Sequence, residues 1–286
     1  MNTCKGVIIF KFKRLRKSVL WGKSQLATNK LKKETGIVLC VVFWLVFLRL
    51  ALLLGSYFDG AYWYCVSSAQ RLVFFVIELW IFVKLFKKDS VREVLHLHNF
   101  KEGVICGFGV IVYIVFYLIT YCLIGAKSWI STTLPIILSC LFLQQFTTGL
   151  WEELTFRAFL CEGYYQGTKR TAGRRLLYAG LSFFVFGLAH AIESSSLNQA
   201  IYRFFITGVW GFTFAMVYLH THNILASAFL HFFSDIFLNL NGFIAEWNDS
   251  QALTVLDNYV NFIILGGILV TGIVVLFREP LKDKTE

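Results

Sequence analysis

Charged residues are scarce in this chain. They make up 15% of its 286 residues, whereas hydrophobic residues make up 57% and aromatic residues 17%. A soluble domain carries about 25% charged residues, so the side chains of this chain are too apolar to cover a water-exposed surface. Disorder is excluded as well, because disordered chains are poor in aromatic and β-branched residues. The composition therefore predicts an integral membrane protein.

Prolines are also rare, and the cysteines show no pattern that indicates pairing. Only two prolines occur, and the apolar runs are long and unbroken, which argues against a barrel of ~10-residue strands that alternate in polarity. The seven cysteines are odd in number, and no CxxC motif is present. The cysteine pattern thus fits neither a disulfide framework nor a zinc knuckle, and we interpret the cysteines as small buried apolar residues.

Eight apolar runs follow one another along the chain, and each is close to the ~17–25 residues that a membrane-spanning helix needs. They cover approximately residues 37–58, 70–86, 103–125, 134–161, 174–192, 200–219, 222–241 and 258–277. Lysines and arginines recur on every second connection, and the positive-inside rule then places both termini in the cytoplasm. The predicted fold class is an all-α, polytopic transmembrane helix bundle with about eight spans, a multi-pass protein of the cell membrane.

The predicted organisation is a basic cytoplasmic arm at 1–36, a membrane-embedded domain at 37–278 and a cytoplasmic tail at 279–286. Ten of the 27 lysines and arginines lie in the arm, against a single acid, Glu34. We interpret the arm first as a topology signal, and the alternative is an arm that contacts anionic lipid. No recognition fold accompanies these bases, so nucleic acid is not an expected partner.

Ionisable residues inside the apolar runs mark the candidate site, because a charge at the bilayer centre costs on the order of 3 kcal/mol on the insertion scale. The fourth run contains Glu152, Glu153 and Arg157. Glu153 and Arg157 are spaced i, i+4 and are predicted to pair along one helix face. Glu152 then has no cation on its own helix, and such a carboxylate in a low-dielectric site can act as a general base.

Two later runs contribute imidazoles. His190 lies in the fifth run, while His231 and Asp235 share one helix face in the seventh. With a rise of 1.5 Å per residue, these side chains and Glu152 all lie roughly 13–22 Å from the ends of their helices. We therefore expect them to meet in the middle of the membrane. An Asp–His pair there would orient an imidazole, hold a metal or relay protons.

Three short motifs, in this order, resemble those of the CPBP family of CAAX proteases and bacteriocin-processing enzymes, also called the Abi family. They are Glu152-Glu153-x-x-x-Arg157, Phe186-x-x-x-His190 and His231-x-x-x-Asp235. The resemblance covers about residues 130–240 and implies a protease core of successive helices. It also implies an intramembrane endopeptidase whose substrate is a membrane protein or peptide, such as a CAAX tail, a bacteriocin or a signalling peptide.

The resemblance assigns roles to individual residues. Glu152 with His190 would activate the attacking water, and His231 with the residue four positions later would stabilise the oxyanion. Glu153 and Arg157 would brace the site, and Phe186 belongs to the second motif. Outside the motifs, Asn223 begins the seventh run, where we expect it either to cap the helix or to contact substrate.

One position departs from the family pattern, since many members have Asn where this chain has Asp235. An ionised aspartate would repel an oxyanion, so Asp235 is expected to be protonated, to orient His231 or to bind a metal. The donor set also suits one divalent, zinc-like ion, and its members would be Glu152, His190, His231 and Asp235. Metal-free glutamate chemistry, which we favour slightly, and metal chemistry both remain open at this point.

Two other functions compete with the protease. The first is a non-catalytic immunity factor or regulatory scaffold that keeps the same fold. The second is a transporter that uses the buried carboxylates, but transporters are often built from internal repeats with broken helices, and no internal repeat is visible in this sequence.

Overall fold

The computed structural model describes residues 34–58, 60–124, 134–167, 170–240 and 251–281. Most of the basic arm predicted at 1–36, and most of the tail predicted at 279–286, lie outside these ranges. All regular secondary structure within the described residues is helical. The predicted all-α class is therefore confirmed.

Ten α-helices follow one another along the described ranges. They are α1 (Glu34–Gly55), α2 (Gly60–Leu85), α3 (Phe100–Cys106), α4 (Phe108–Ile124), α5 (Leu134–Glu153), α6 (Leu160–Tyr165), α7 (Ala172–Ala191), α8 (Leu197–Thr221), α9 (Ile224–Leu240) and α10 (Gln251–Leu276). A 3₁₀ turn at Val91–Glu93 precedes α3, and a π-helical segment at Leu154–Phe159 joins α5 to α6.

Three of the helices are long and apolar enough to cross a membrane. They are Glu34–Gly55, Tyr62–Leu85 and Leu197–Thr221. Helices α3 and α4 are bent by 72° with respect to each other and make a fourth candidate span if they are counted together. The described residues thus form a helical integral membrane protein with three to four candidate spans.

The helices differ from the predicted apolar runs at the start of α2 and at the junction of α3 and α4. Residues 60–69, predicted as part of a loop, are the first turns of α2, where Ser67 and Ser68 are buried and the Ser68 hydroxyl donates to the Tyr64 carbonyl at 2.7 Å. Such a bond to the preceding turn satisfies a polar side chain inside a helix. The run at 103–125 bends at Gly107, where any side chain would collide with Leu230.

Close helix contacts bring the predicted site residues together. Helix α5 packs between α2 and α9, and α7 packs along α8. A Cβ atom at Gly149 would lie 2.9 Å from the Ala228 carbonyl oxygen, and one at Gly211 would lie 3.0 Å from the Ser182 carbonyl oxygen. Small residues permit such backbone contacts between membrane helices. As a result, the C-terminal end of α5 lies directly against α9.

The helix that carries the glutamates leaves the α-form directly after them. The π-helical segment is wholly buried, and π-bulges occur frequently at functional sites. Glu78 of α2 accepts a hydrogen bond from Trp151 Nε1 of α5 at 2.9 Å and another from Thr155 Oγ1 of the π-helical segment at 2.6 Å. The position of Glu152 and Glu153 is thereby fixed from the α2 side.

Candidate active site

Glu153 lies at the centre of a buried ion pair. Its Oε1 is 3.1 Å from Arg157 Nη2, and both side chains are fully buried. The pairing predicted from the i, i+4 spacing is therefore present. The guanidinium also lies over two rings, with its Cζ 4.3 Å from the centroid of Phe186 and 5.5 Å from that of Phe214. These cation–π contacts add to the ion pair in holding Arg157.

His231 connects the two glutamates. Its Nδ1 lies 2.9 Å from Glu153 Oε1, and its Nε2 lies 3.6 Å from Glu152 Oε2. Because an ionised carboxylate only accepts hydrogen bonds, Nδ1 is the donor to Glu153, and Nε2 faces the second carboxylate. The ring stacks on Phe214 with 5.0 Å between centroids. His231 is therefore fixed both by its hydrogen bond and by its ring contact.

Asp235 lies one turn further along α9, with its Oδ2 3.4 Å from His231 Nε2. The side chain is partly exposed, whereas Glu152 is only 9% exposed. Of the three roles expected for Asp235, this geometry suits the orientation of His231. It places two carboxylates, Glu152 and Asp235, on the same nitrogen of the imidazole.

His190 approaches the same place from α7. Its Nδ1 contacts the Phe186 carbonyl oxygen at 3.0 Å. A carbonyl can only accept, so Nδ1 of His190 is the donor in this contact and Nε2 is the nitrogen left to face the cavity. No ion pair joins His190 to Glu152 within the described ranges, and the imidazole in contact with Glu152 is that of His231.

All four predicted catalytic residues line one small cavity of about 140 Å³. Its wall consists of Tyr113, Glu152, Phe186, His190, Ile206, Thr207, Trp210, Phe214, His231, Ser234, Asp235 and Leu238. Two larger cavities adjoin it, and we call them the apolar cavity, of about 330 Å³, and the polar cavity, of about 280 Å³. Tyr202, Leu265 and Ile268 line the apolar cavity, while Arg71, Gln144 and Gln145 line the polar one.

Asn223 lies away from these cavities and has a structural role. Its Oδ1 accepts a hydrogen bond from the Ala226 amide at 2.8 Å, which caps the N-terminus of α9. Its Nδ2 donates to the carbonyls of His96 and His98 at 2.8 and 2.7 Å. Of the two roles predicted for Asn223, the structure shows the cap.

The predicted metal ligands do not form a recognisable metal centre. Among the described residues, no group of three or more His, Cys, Asp or Glu side chains is arranged to hold a metal ion. His231 has Nδ1 on Glu153, and its Nε2 already faces two carboxylates at 3.4 and 3.6 Å.

Several residues around the site were not predicted from the sequence. Arg71 is the second residue of the run predicted to begin at residue 70, and no role was predicted for it. Because α2 begins at Gly60, Arg71 lies well inside that helix. The rule that singled out Glu152 would have identified Arg71 if this boundary had been known. Tyr113 and Trp210 carry no signal that separates them from ordinary packing residues.

A helical membrane protein with a buried acid–base cluster is the class that this fold and site define. Residues 133–237 match the family described as Type II CAAX prenyl endopeptidase Rce1-like. The match extends from α5 into α9 and contains all three motifs, so the resemblance to CPBP and CAAX proteases, a family of peptidases, is confirmed over this segment. Neither a curated protein nor a solved structure matches the chain.

Proposed function

We propose that the chain is an intramembrane endopeptidase of the CAAX type, which uses water activated by Glu152 to cut a membrane-associated protein or peptide. The observation that carries this proposal is the convergence of Glu152, His190, His231 and Asp235 on one cavity of about 140 Å³. Helices α5, α7 and α9 supply these side chains, and all lie in the segment that matches the peptidase family.

Glu152 serves as the general base. It has no cation on its own helix, whereas Glu153 is occupied by Arg157 and His231. A carboxylate that borders the cavity and is not held in an ion pair with arginine can accept the proton of a water molecule. The oxygen of that water then attacks the peptide carbonyl. His190, which lines the same cavity, assists from α7.

His231 stabilises the oxyanion that forms on the carbonyl. Its Nδ1–H bond to Glu153 fixes the orientation of the ring, and preorganised donors contribute most where charge develops. Asp235 orients His231 from the other side at 3.4 Å. Glu153 and Arg157 brace this arrangement without contact to the substrate.

The decisive experiment compares the two adjacent glutamates. Glu152→Gln keeps the side-chain volume but cannot take a proton, so cleavage should fall by ~10²–10⁴-fold at normal protein abundance. Glu153→Gln breaks a buried ion pair, a change that costs about 3–5 kcal/mol, and its main symptom should be a lower yield or melting temperature. Comparative membrane peptidomics identifies the processed peptide, and immunoblotting measures abundance.

Glu102→Gln is the matched control, because Glu102 is exposed on α3. Exhaustive chelation in the same assay tests the alternative chemistry: we propose that activity survives, and a reversible loss would assign a zinc-like ion to the site. If Glu152→Gln retains full processing at normal abundance, the protease proposal fails. The immunity factor or regulatory scaffold would then take its place.

A further inference from the structure

Arg71 lies in the middle of an apolar helix, and no carboxylate among the described residues forms an ion pair with it. It lies nine residues from the start of the candidate span Tyr62–Leu85, roughly 14 Å at 1.5 Å per residue. Its Nη1 donates to the backbone and side chain of Ser67 on the same helix, and its Nε has no hydrogen-bond partner. A charged side chain at this depth is a candidate functional residue, and it is almost always paired with another polar or charged group.

The surroundings of Arg71 hold it in a defined position. Its guanidinium lies 5.3 Å from the centre of the Phe47 ring. Ser67, which accepts from Arg71, also accepts from Gln144 Nε2 at 3.1 Å, and Gln144 in turn accepts from Gln145 Nε2 at 3.4 Å. Arg71 is thus supported by a ring and by a short chain of hydrogen bonds before any ligand is present.

Arg71 and Glu152 line the same polar cavity. The other ionisable groups on its wall are His190, Glu193 and Asp235, so Arg71 is the only arginine or lysine among the residues that line it. An anion that enters this cavity is repelled by the carboxylates and attracted to the guanidinium. Arginine binds carboxylates through two parallel hydrogen bonds, so a carboxylate is the anion that best fits Arg71.

We propose that Arg71 binds a carboxylate of the substrate on the side of Glu152 where the polar cavity lies, and thereby selects peptides that carry this group near the scissile bond. This inference rests on the proposed protease function and adds to it a residue outside the segment 133–237. The carboxylate comes either from the C-terminus of the peptide or from an acidic side chain close to it, and the two sources are separable by experiment.

The test uses quenched fluorescent peptides with an S-farnesyl cysteine followed by three aliphatic residues. One ends in a free carboxylate, the second in an amide, and the third in an amide with glutamate as its last residue. Since hydrogen bonds to charged groups are strong, wild type should prefer the acid over the amide by roughly 10–100-fold in kcat/KM. Arg71→Gln should lower the rate on the acid to that on the amide and leave the amide rate unchanged.

Two further variants sharpen the result. Arg203→Gln is the matched control, because Arg203 lines the apolar cavity, and the ratio of acid to amide should stay as in wild type. Arg71→Lys keeps the charge but cannot donate two parallel hydrogen bonds to a carboxylate, so it should lose most of the preference for the acid over the amide. It supplies the test if Arg71→Gln does not reach the membrane. Efficient cleavage of the third peptide would assign acidic side chains as a second source of the carboxylate.

Binding separates this inference from the protease proposal. The same peptides, methylated at the scissile nitrogen so that they cannot be cut, are titrated into purified protein. Acid-selective binding that Arg71→Gln abolishes, without cleavage of the parent peptides, supports Arg71 and counts against the protease. If the peptides are cut without a preference for the acid, or if that preference survives Arg71→Gln, the role of Arg71 is overturned while the protease proposal stands. Absence of both cleavage and selective binding overturns both proposals.

Discussion

Glu162 is a buried carboxylate outside the candidate site, and it lies just beyond the predicted span 134–161. It is fully buried and accepts from Lys88 Nζ at 2.8 Å, His222 Nε2 at 3.0 Å and the Tyr218 hydroxyl at 3.0 Å. Burial by itself raises the pKa of Glu162, but His222 and Lys88 more than offset this and lower the pKa from 4.5 to about 2. The ionised form of Glu162 is therefore strongly favoured in the folded protein.

Glu162→Gln should lower stability in a pH-dependent way. A depressed carboxyl pKa contributes stability that is present above the unfolded pKa and is lost as pH falls through the folded one. The drop from 4.5 to about 2 corresponds to roughly 3 kcal/mol. Thermal melts in detergent should show the largest gap between wild type and variant at neutral pH, narrowing from pH 4.5 towards 2. A gap that stays constant over this interval would contradict the assignment.

The sequence predicts those residue contacts that lie within one helix. The pair of Glu153 with Arg157 and that of His231 with Asp235 both follow from i, i+4 spacing. The bond between His231 and Glu153 joins residues 78 positions apart, and only the packing of α5 against α9 produces it. The family resemblance implies that Glu152 acts with His190, and in the structure the imidazole beside Glu152 is that of His231.

At the level of elements, the contact between α5 and α9 determines the geometry of the site. Gly149 lies four residues before Glu153, and its missing side chain lets α5 approach the Ala228 carbonyl and the Phe232 amide of α9. Any Cβ atom would meet the backbone of α9, which cannot rotate away as a side chain can. The distance between Glu153 and His231 thus depends on this glycine.

Gly149→Ala should separate α5 from α9 and lengthen the contact between His231 and Glu153. A misplacement of 1 Å can cost ~10²-fold in rate, so cleavage should drop by at least about tenfold, together with some loss of thermal stability. Gly180→Ala on α7 is the control, because no atom lies within 4 Å of the position of its Cβ. Equal activities of the two variants would show that the contact does not position the site.

The sequence predicts the presence of the helices better than the residues at which they begin and end. The apolar runs 200–219 and 222–241 predict a turn at residues 220–221, and the structure ends α8 at Thr221 with His222 in the left-handed region at φ 50°. The π-helical segment at Leu154–Phe159 has no counterpart in the apolar pattern. In the structure, this segment is accompanied by tertiary hydrogen bonds that Trp151 and Thr155 donate to Glu78 of α2.

At the scale of the whole molecule, the topology is still a proposal. The apolar runs predict about eight spans, and the distribution of lysines and arginines predicts that both termini lie in the cytoplasm, whereas the described helices include three to four candidate spans by length and apolarity. Helix α9, which carries His231 and Asp235, is apolar but has only 17 residues, so it is shorter than the three candidate spans. Helix α7 begins with Arg174 and Arg175 close to its first turn, so charged residues interrupt its apolar sequence.

Reporter fusions test this topology. Fusions after Phe58 and Ser194, in the turns that follow α1 and α7, should behave as exported. Those after Asp89 and Arg170 should behave as cytoplasmic, because these connections contain clustered bases. Alkaline phosphatase and green fluorescent protein give opposite readouts at each position. An exported reporter after Arg170 would contradict the eight-span arrangement.

The cavities around Glu152 also suggest how an inhibitor could be built. Glu152, His190 and Asp235 border both the small cavity of about 140 Å³ and the polar cavity, so ligands in the two would lie side by side. Two weakly binding fragments, one for each cavity, could be joined by a short linker. Joining turns the second binding event into an intramolecular one and can raise affinity by ~10²–10⁴-fold. A linked pair of fragments is therefore the rational starting point for a selective ligand.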